Sequence, residues 1–315
     1  MRDVLHHEQD FRLRKGGEHM HIESAEIASL AHARKTPLSV IVKRIIRYIP
    51  IFILLVFFAF ILLAPLLWMC LGAFKSDPEV ISYPPRFFPV GNNFMKNWDN
   101  VLKQIDFWGM TVNTAVYAIG TTIPAMFVNA LAGYAFARFR FRGKNILFLL
   151  FLATMMIPFQ VIMVPLYLEV YYLGWLNSFQ GLIVPKIASA YWIFLCRSAF
   201  EGLPKDLEDA ARIDGMHEFG IFARVMLPLI TPAMITVLLL SINNCWNDLL
   251  WPMIVASKSS MRTLSNGLAI FIGNRTDNYS SAFTAAAVSM IPMLILYIFG
   301  QKYFVAGQAT SGIKG

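Results

Sequence analysis

Five stretches of this chain contain no Asp, Glu, Lys, Arg or His: residues 48–74, 107–137, 145–168, 225–247 and 279–301. Each reaches the ~20 apolar residues that a helix needs to cross the hydrocarbon core of a bilayer. A sixth crossing is placed around residues 178–200, where "LGWLNS" (173–178) reads as a turn and Lys186 interrupts the apolar run. The makeup agrees, since 57% of the 315 residues are hydrophobic and only 15% are charged, which does not suit a water-soluble domain. The expected fold is an all-α polytopic membrane protein with six transmembrane helices. Residues 48–304 form the membrane domain, 1–47 and 305–315 are tails, and 201–226 is a charged loop between helices 4 and 5.

Orientation follows from lysine and arginine, which stay on the cytoplasmic side during insertion. The tail before Tyr48 carries nine, residues 138–144 four, residues 197–224 four and the end of the chain two, against seven on the opposite side plus Lys186. Both termini are therefore expected in the cytoplasm, together with the 201–226 loop. The inner segments hold most of the net charge of +8, so the basic balance calls for no nucleic-acid partner. The first apolar run follows a long polar tail and exceeds a signal-peptide core, and is read as an uncleaved helix.

Cys70, Cys196 and Cys245 lie in or beside spans, where thiols serve as small apolar packing groups. His6, His7, His19, His21 and His32 match no standard metal spacing. There is no phosphate-binding G-x-x-x-x-G-K-[ST] loop, no H-E-x-x-H and no G-x-S-x-G. No catalytic residue, metal or cofactor is assigned to this chain. Glu169, Lys186 and Asp248 are the ionisable groups nearest bilayer depth, and each falls toward the outer end of its span, where it can reach headgroups or water.

The stretch "LEDAARIDGMHEFGIFARVMLPL" (207–229) is the charge-rich passage of the second half. A helix is expected from about Leu203, with Pro204 in its first turn and Asp206, Glu208 and Asp209 near the positive end of its dipole. Leu203, Leu207, Ala210, Ala211 and Asp214 share one face, and Gly215 ends the helix by accepting a left-handed backbone. A second amphipathic piece follows through Phe219, Phe222 and Val225 to Pro228. The face carries more acid than base, which suits a protein partner better than an anionic membrane surface.

"DAARIDG" (209–215), followed after nine residues by "VMLP" (225–228), resembles the E-A-A, three residues, G, nine residues, I-x-L-P signature of ABC importer permeases. It departs from it with Asp209 for Glu and Val225 for Ile. "NT" (113–114), "AGYAFARFRFRGK" (132–144), "MMIPFQVIMVPLY" (155–167), "WND" (246–248) and "GIKG" (312–315) extend the likeness to the carbohydrate-uptake branch, specifically the six-helix subunit of maltose-type systems. The resemblance implies a bacterial or archaeal inner-membrane subunit that pairs with a second, different permease chain and rests on two ATPase subunits holding ATP and Mg. An extracytoplasmic binding protein would deliver the sugar. The loop 201–226 would carry the coupling helix. Leu207, Glu208, Asp209, Ala210, Ala211, Asp214, Gly215, Leu227 and Pro228 would serve ATPase coupling. Gln301, Lys302, Gly312 and Lys314 would touch the ATPase at the C-terminal end. Gly273, Asn274, Arg275, Thr276 and Asp277, the tip of the outer loop 252–280, would meet the binding protein.

Asn243, Asn244, Trp246 and Asn247 are candidates for the substrate path, since amides and flat rings suit sugars, with Trp251 nearby. The asparagines serve equally well as contacts between membrane helices. Pro124, Pro158, Pro165, Pro232 and Pro292 lie inside apparent spans and are expected to kink them. A secondary transporter would show internal repeats and deeply placed ionisable groups, and a membrane enzyme would show a catalytic constellation; neither pattern is found. An ABC permease for a non-sugar solute stays open at this point.

Overall fold

The computed structural model describes residues 38–273 and 278–311, with side chains for 47–271 and 278–301. The chain divides into two compact units, Met1–Leu66 and Leu67–Gly315. Among the described residues every regular element is helical. In order these are α1 Leu38–Gly72, α2 Asp77–Val80, α3 Phe94–Gln104, α4 Phe107–Arg138, α5 Lys144–Thr154, α6 Phe159–Tyr172, α7 Phe179–Ile183 and α8 Ala190–Glu201. They continue with α9 Asp206–Ile213, α10 Glu218–Gly220, α11 Leu227–Leu229, α12 Thr231–Trp246, α13 Leu250–Val255, α14 Leu264–Gly273 and α15 Tyr279–Ser311. A π-helical segment, Ile221–Met226, joins α10 to α11, and a 3₁₀ turn, Val184–Lys186, follows α7.

Among the described residues three segments are long and apolar enough to cross a membrane alone: Arg47–Gly72, Phe107–Arg138 and Tyr279–Gln301. Three helix pairs meet the same test only when each is taken as one bent crossing: α5 with α6 (99°), α7 with α8 (45°), and α10–α11 with α12 (79°). The apolar run 145–168, read from sequence as one span kinked at its prolines, breaks at residues 155–158 into two helices at 99°. Pro158 lacks the N–H that would continue the ladder and precedes α6 in extended backbone, with ψ 138°. Pro232 occupies the first turn of α12 just past the break at Ile230. Pro124, Pro165 and Pro292 lie within continuous helices.

The second unit is organised around α4, α8 and α12. Ala130, Tyr134, Trp192, Cys196, Phe200, Phe222, Met226 and Val237 form one buried apolar cluster. Tyr117, Val170, Leu182, Cys245, Trp251 and Val255 form another. Gly133 brings α4 against α8, since a Cβ placed there would lie 2.6 Å from the Cys196 Cβ and 2.8 Å from the Arg197 nitrogen. Cys196 and Cys245 are buried in these clusters and Cys70 is exposed.

Near the start of α15 the polar groups are paired across the chain. Asn97 donates to the carbonyls of Ala73 and Lys75, both at 2.9 Å, and Ser280 donates through N and Oγ to Asp77 Oδ1 at 2.9 and 2.8 Å. Buried Lys75 donates to the Arg86 carbonyl and stands over the Trp68 ring at 4.1 Å. Burial lowers its pKa, and Glu79 partly restores it. Breaking this arrangement strands buried polar groups, so Asn97→Ala is expected to cost about 1–3 kcal/mol in a thermal unfolding measurement.

Candidate functional site

The charged helix starts at Asp206, three residues later than its sequence suggests. Pro204 does not occupy its first turn, because the preceding Leu203 carbonyl is held by Arg138 Nη2 at 2.8 Å. Lys205 stands at the N-cap without a side-chain cap, so none of the three first-turn acids serves as one. The other end is fully specified. Gly215 has φ +82°, the Met216 N–H reaches the Ala211 carbonyl at 3.0 Å, and the Gly215 N–H reaches Arg212 at 3.1 Å. This pair of bonds is the Schellman closure, which a left-handed residue makes possible. Met216 packs beside Ala211 against the buried cluster below.

α9 presents two faces. Glu208 and Ala211 point inward, at 7% and 5% exposure. Leu207, Asp209, Ala210, Arg212, Ile213, Asp214 and Gly215 are exposed, Ile213 at 86%. The sequence-derived face is thus divided, because Ala210 looks out while its neighbour Ala211 packs with Tyr134, Phe200, Phe222 and Met226. Leu227 is half-buried and Pro228 exposed, both in α11. On the outer face Arg212 bonds Asp209 at 2.8 Å and Glu218 at 2.9 Å. These pairs are solvated, so they contribute little to stability.

Beneath this face, Arg138 Nε at the end of α4 meets Glu208 Oε1 at 2.9 Å, with side-chain exposures of 5% and 9%. The two atoms are not aligned as a hydrogen bond, so the contact is charge against charge. Burial raises the Glu208 carboxyl above its ordinary value, and the Arg138 guanidinium pulls it back. Removing one partner of such a buried pair costs about 3–5 kcal/mol, far more than an exposed pair. In the sequence Arg138 stands out only as one of four cations in residues 138–144 and as part of the 132–144 motif. Nothing local ties it to a carboxylate seventy positions away.

A Cβ added at Gly215 would meet nothing within 4 Å. Gly215→Ala is therefore expected to cost only about 1 kcal/mol of left-handed strain, read as a small drop in unfolding temperature. A larger side chain there would project from the exposed face and leave the interior undisturbed.

The other sequence-derived residues are scattered. Asn243, Asn244 and Asn247 are exposed at the end of α12, and Asn247 Nδ2 donates to the Asn243 carbonyl at 2.9 Å and to its Oδ1 at 3.1 Å. Trp246 is half-buried against a further apolar cluster that contains Val101, Phe107 and Leu264. Trp251, read from sequence as a flat face for sugar, is fully buried, with Nε1 donating to the Gly181 carbonyl at 3.2 Å. It is a core residue, and its ring is closed to any solute in this structure. Gly273 ends α14, while Asn274, Arg275, Thr276 and Asp277 lie outside the described residues. Gln301 is exposed on α15, the Lys302 side chain is not described, and Gly312 and Lys314 lie outside the described residues, as do the tail histidines.

Two of the three ionisable groups singled out from the sequence meet. Lys186 Nζ lies 3.4 Å from Asp248 Oδ2 and 3.8 Å from the centre of the Phe159 ring, and Tyr117 Oη donates to Asp248 Oδ2 at 2.9 Å. Glu169 is exposed. The "NT" pair ties α4 to the segment before α14: Asn113 Nδ2 donates to the Ser260 and Arg262 carbonyls at 2.9 and 3.0 Å, and Thr114 Oγ1 accepts from the Leu264 nitrogen at 2.8 Å.

Residues 129–309, which hold α9 and most of its supporting core, match the family described as "Binding-protein-dependent transport system inner membrane component". The chain belongs to that family. This inner membrane component is 34% identical over 261 residues to the arabinooligosaccharides transport system permease protein AraQ of Halalkalibacterium halodurans, spanning 82% of the present chain and 94% of that one. It is 29% identical over 280 residues to the trehalose/maltose transport system permease protein MalG of Thermococcus litoralis, spanning 87% and 99%. A solved chain from a bacterial ABC transporter involved in import of the acidic polysaccharide alginate superposes with a TM-score of 0.72 at 26% identity, covering 82% of this permease and 96% of that chain.

Proposed function

We propose that this chain is the transmembrane permease subunit of an ATP-driven, binding-protein-dependent importer of sugars or oligosaccharides. The observation that carries the reading is the likeness to the arabinooligosaccharide permease over 82% of the chain, with a solvated, Gly215-closed helix standing on a buried pair. In this reading each bent helix pair is one crossing, which with the three long helices makes six, and both termini are cytoplasmic. α9 is the coupling helix. Its exposed residues, Leu207, Asp209, Ala210, Asp214 and Gly215 with Ile213, meet an ATPase subunit, whereas Glu208 and Ala211 hold it to the membrane domain. Two ATPase subunits bind ATP and Mg, a second permease completes the pathway, and a binding protein delivers the sugar at the outer loop 252–280.

Transport then follows from differential binding. Closure of the ATPase pair changes how it holds α9, and the membrane helices shift between inward-open and outward-open arrangements only insofar as the two states bind that helix differently. No bond chemistry falls to this chain. The test is to purify the assembled complex with its binding protein and measure ATP hydrolysis with arabinotriose, maltose and trehalose, against amino acids and simple ions. Stimulation by at least one of the sugars is expected. Stimulation by amino acids or ions alone, or solute uptake in proteoliposomes lacking any ATPase, would sink the reading.

A further inference from the structure

We infer that Arg138 is the positioning residue that locks the coupling helix to the first long span of the second unit, so that movement delivered at α9 passes into α4. The inference rests on the function proposed above and assigns a residue to its central step. Its observations are separate from that reading. Arg138 is the last residue of α4, and its guanidinium touches both α9 and the segment that leads into it. Nε faces Glu208 Oε1 at 2.9 Å, and Nη2 donates to the Leu203 carbonyl at 2.8 Å, three residues before the helix begins. One guanidinium thus joins a directed hydrogen bond to the approach of α9 with a buried charge facing its first turn, a reach that a lysine ammonium does not have.

Burial makes this link stiff. The two side chains are 5% and 9% exposed, so sliding α9 across the end of α4 would leave both charges out of water and unpaired. The outer pairs of Arg212 with Asp209 and Glu218 have side-chain exposures of 47–66% and exchange freely with water. A partner can therefore rearrange the exposed face while the inner contact persists. The apolar floor adds no comparable register. Ala211, Tyr134, Phe200 and Phe222 offer shape without direction, whereas the guanidinium sets a directed bond to Leu203 beside a buried charge facing Glu208. Five residues up α4, Gly133 lies against the α8 backbone, so a shift imposed at Arg138 reaches the α4–α8 contact within about two turns.

The experiment uses the assembled complex in proteoliposomes, with whichever of arabinotriose, maltose or trehalose stimulates hydrolysis, and reads sugar taken up per ATP hydrolysed. In Arg138→Gln this ratio is expected to fall about tenfold or more, the scale of a lost coupling between two sites. Arg138→Lys, which keeps the charge and loses the reach to Leu203, should fall between. The exchanged double variant Arg138→Glu with Glu208→Arg should recover part of the ratio lost by either single change, and Arg142→Gln should leave it alone. A purely architectural role predicts otherwise: uptake and hydrolysis drop together as complexes are lost, and the ratio holds. That result overturns the inference, as does an unchanged ratio in an intact Arg138→Gln complex. Absence of ATP-dependent sugar uptake by the unsubstituted complex would overturn the proposed function instead.

Discussion

Gly133→Leu is expected to destabilise the permease by about 3 kcal/mol, at the upper end of what overpacking a core costs. The deciding quantity is what a new side chain would strike. A Cβ at Gly133 would lie 2.6 Å from the Cys196 Cβ, 2.8 Å from the Arg197 nitrogen and 3.1 Å from the Cys196 carbonyl carbon, and two of these atoms are backbone. Alanine in a helix interior gains about 1 kcal/mol over glycine in propensity, but that gain cannot offset forcing two helices apart. Small residues let membrane helices approach in this way, and Gly133→Ala is already expected to lower the unfolding temperature in detergent. Gly202 is the control, because its nearest neighbour to a new Cβ is the Ala199 carbonyl oxygen at 3.5 Å, so Gly202→Ala should be nearly neutral. Equal unfolding temperatures for Gly133→Leu and the unsubstituted chain would show that α4 and α8 do not pack as described. The same substitution should also loosen the Arg138 fork one and a half turns away, since the end of α4 is placed by this contact.

What was legible in the sequence, and what was not, divides by range. Charge-free runs mark apolar segments because a span excludes solvated groups along its whole length, and the long helices α4 and α15 appear within two residues of where their runs begin. Direction is another matter. A run of apolar residues reads the same whether straight or bent by 99°, and Pro158 gives the place of the break without its angle. The closure of α9 was legible at Gly215 because a positive φ is a local demand met by one residue type. Its beginning was misplaced because Pro204 is a local start signal, while the Leu203 carbonyl is drawn off by Arg138 from another helix. Ala210 and Ala211 could not be told apart either, since which of two adjacent alanines faces inward depends on a core assembled from α4, α8 and the π-helical segment.

Trp251→Ala is expected to be the most damaging single truncation in the cluster around α7 and α13, at about 3–5 kcal/mol. The indole is fully buried, meets the Phe159 ring edge-on at 6.1 Å between centres, and satisfies the Gly181 carbonyl. Truncation leaves a cavity and an acceptor without its donor. Trp251→Phe separates these effects, because most of the volume stays and the lost hydrogen bond alone is expected to cost about 1–3 kcal/mol. Asn247→Ala removes only exposed contacts to Asn243 and should change stability by less than about 0.5 kcal/mol. Unfolding of the detergent-solubilised permease, followed by tryptophan fluorescence for the asparagine variant and by hydrogen exchange for the tryptophan ones, distinguishes the three. If Trp251→Ala unfolds within about 1 kcal/mol of the unsubstituted chain while uptake collapses, the ring belongs to the solute pathway after all. The buried geometry argues for the opposite outcome. The indole locks α13 onto α7 through the Gly181 carbonyl, which places the Trp251 backbone N–H that donates to Asp248 Oδ1 at 3.3 Å and so helps hold Asp248 where Lys186 and Tyr117 reach it. Loss of the ring should therefore release that ion pair as well, so the Trp251→Ala and Asp248→Asn effects are expected to be less than additive.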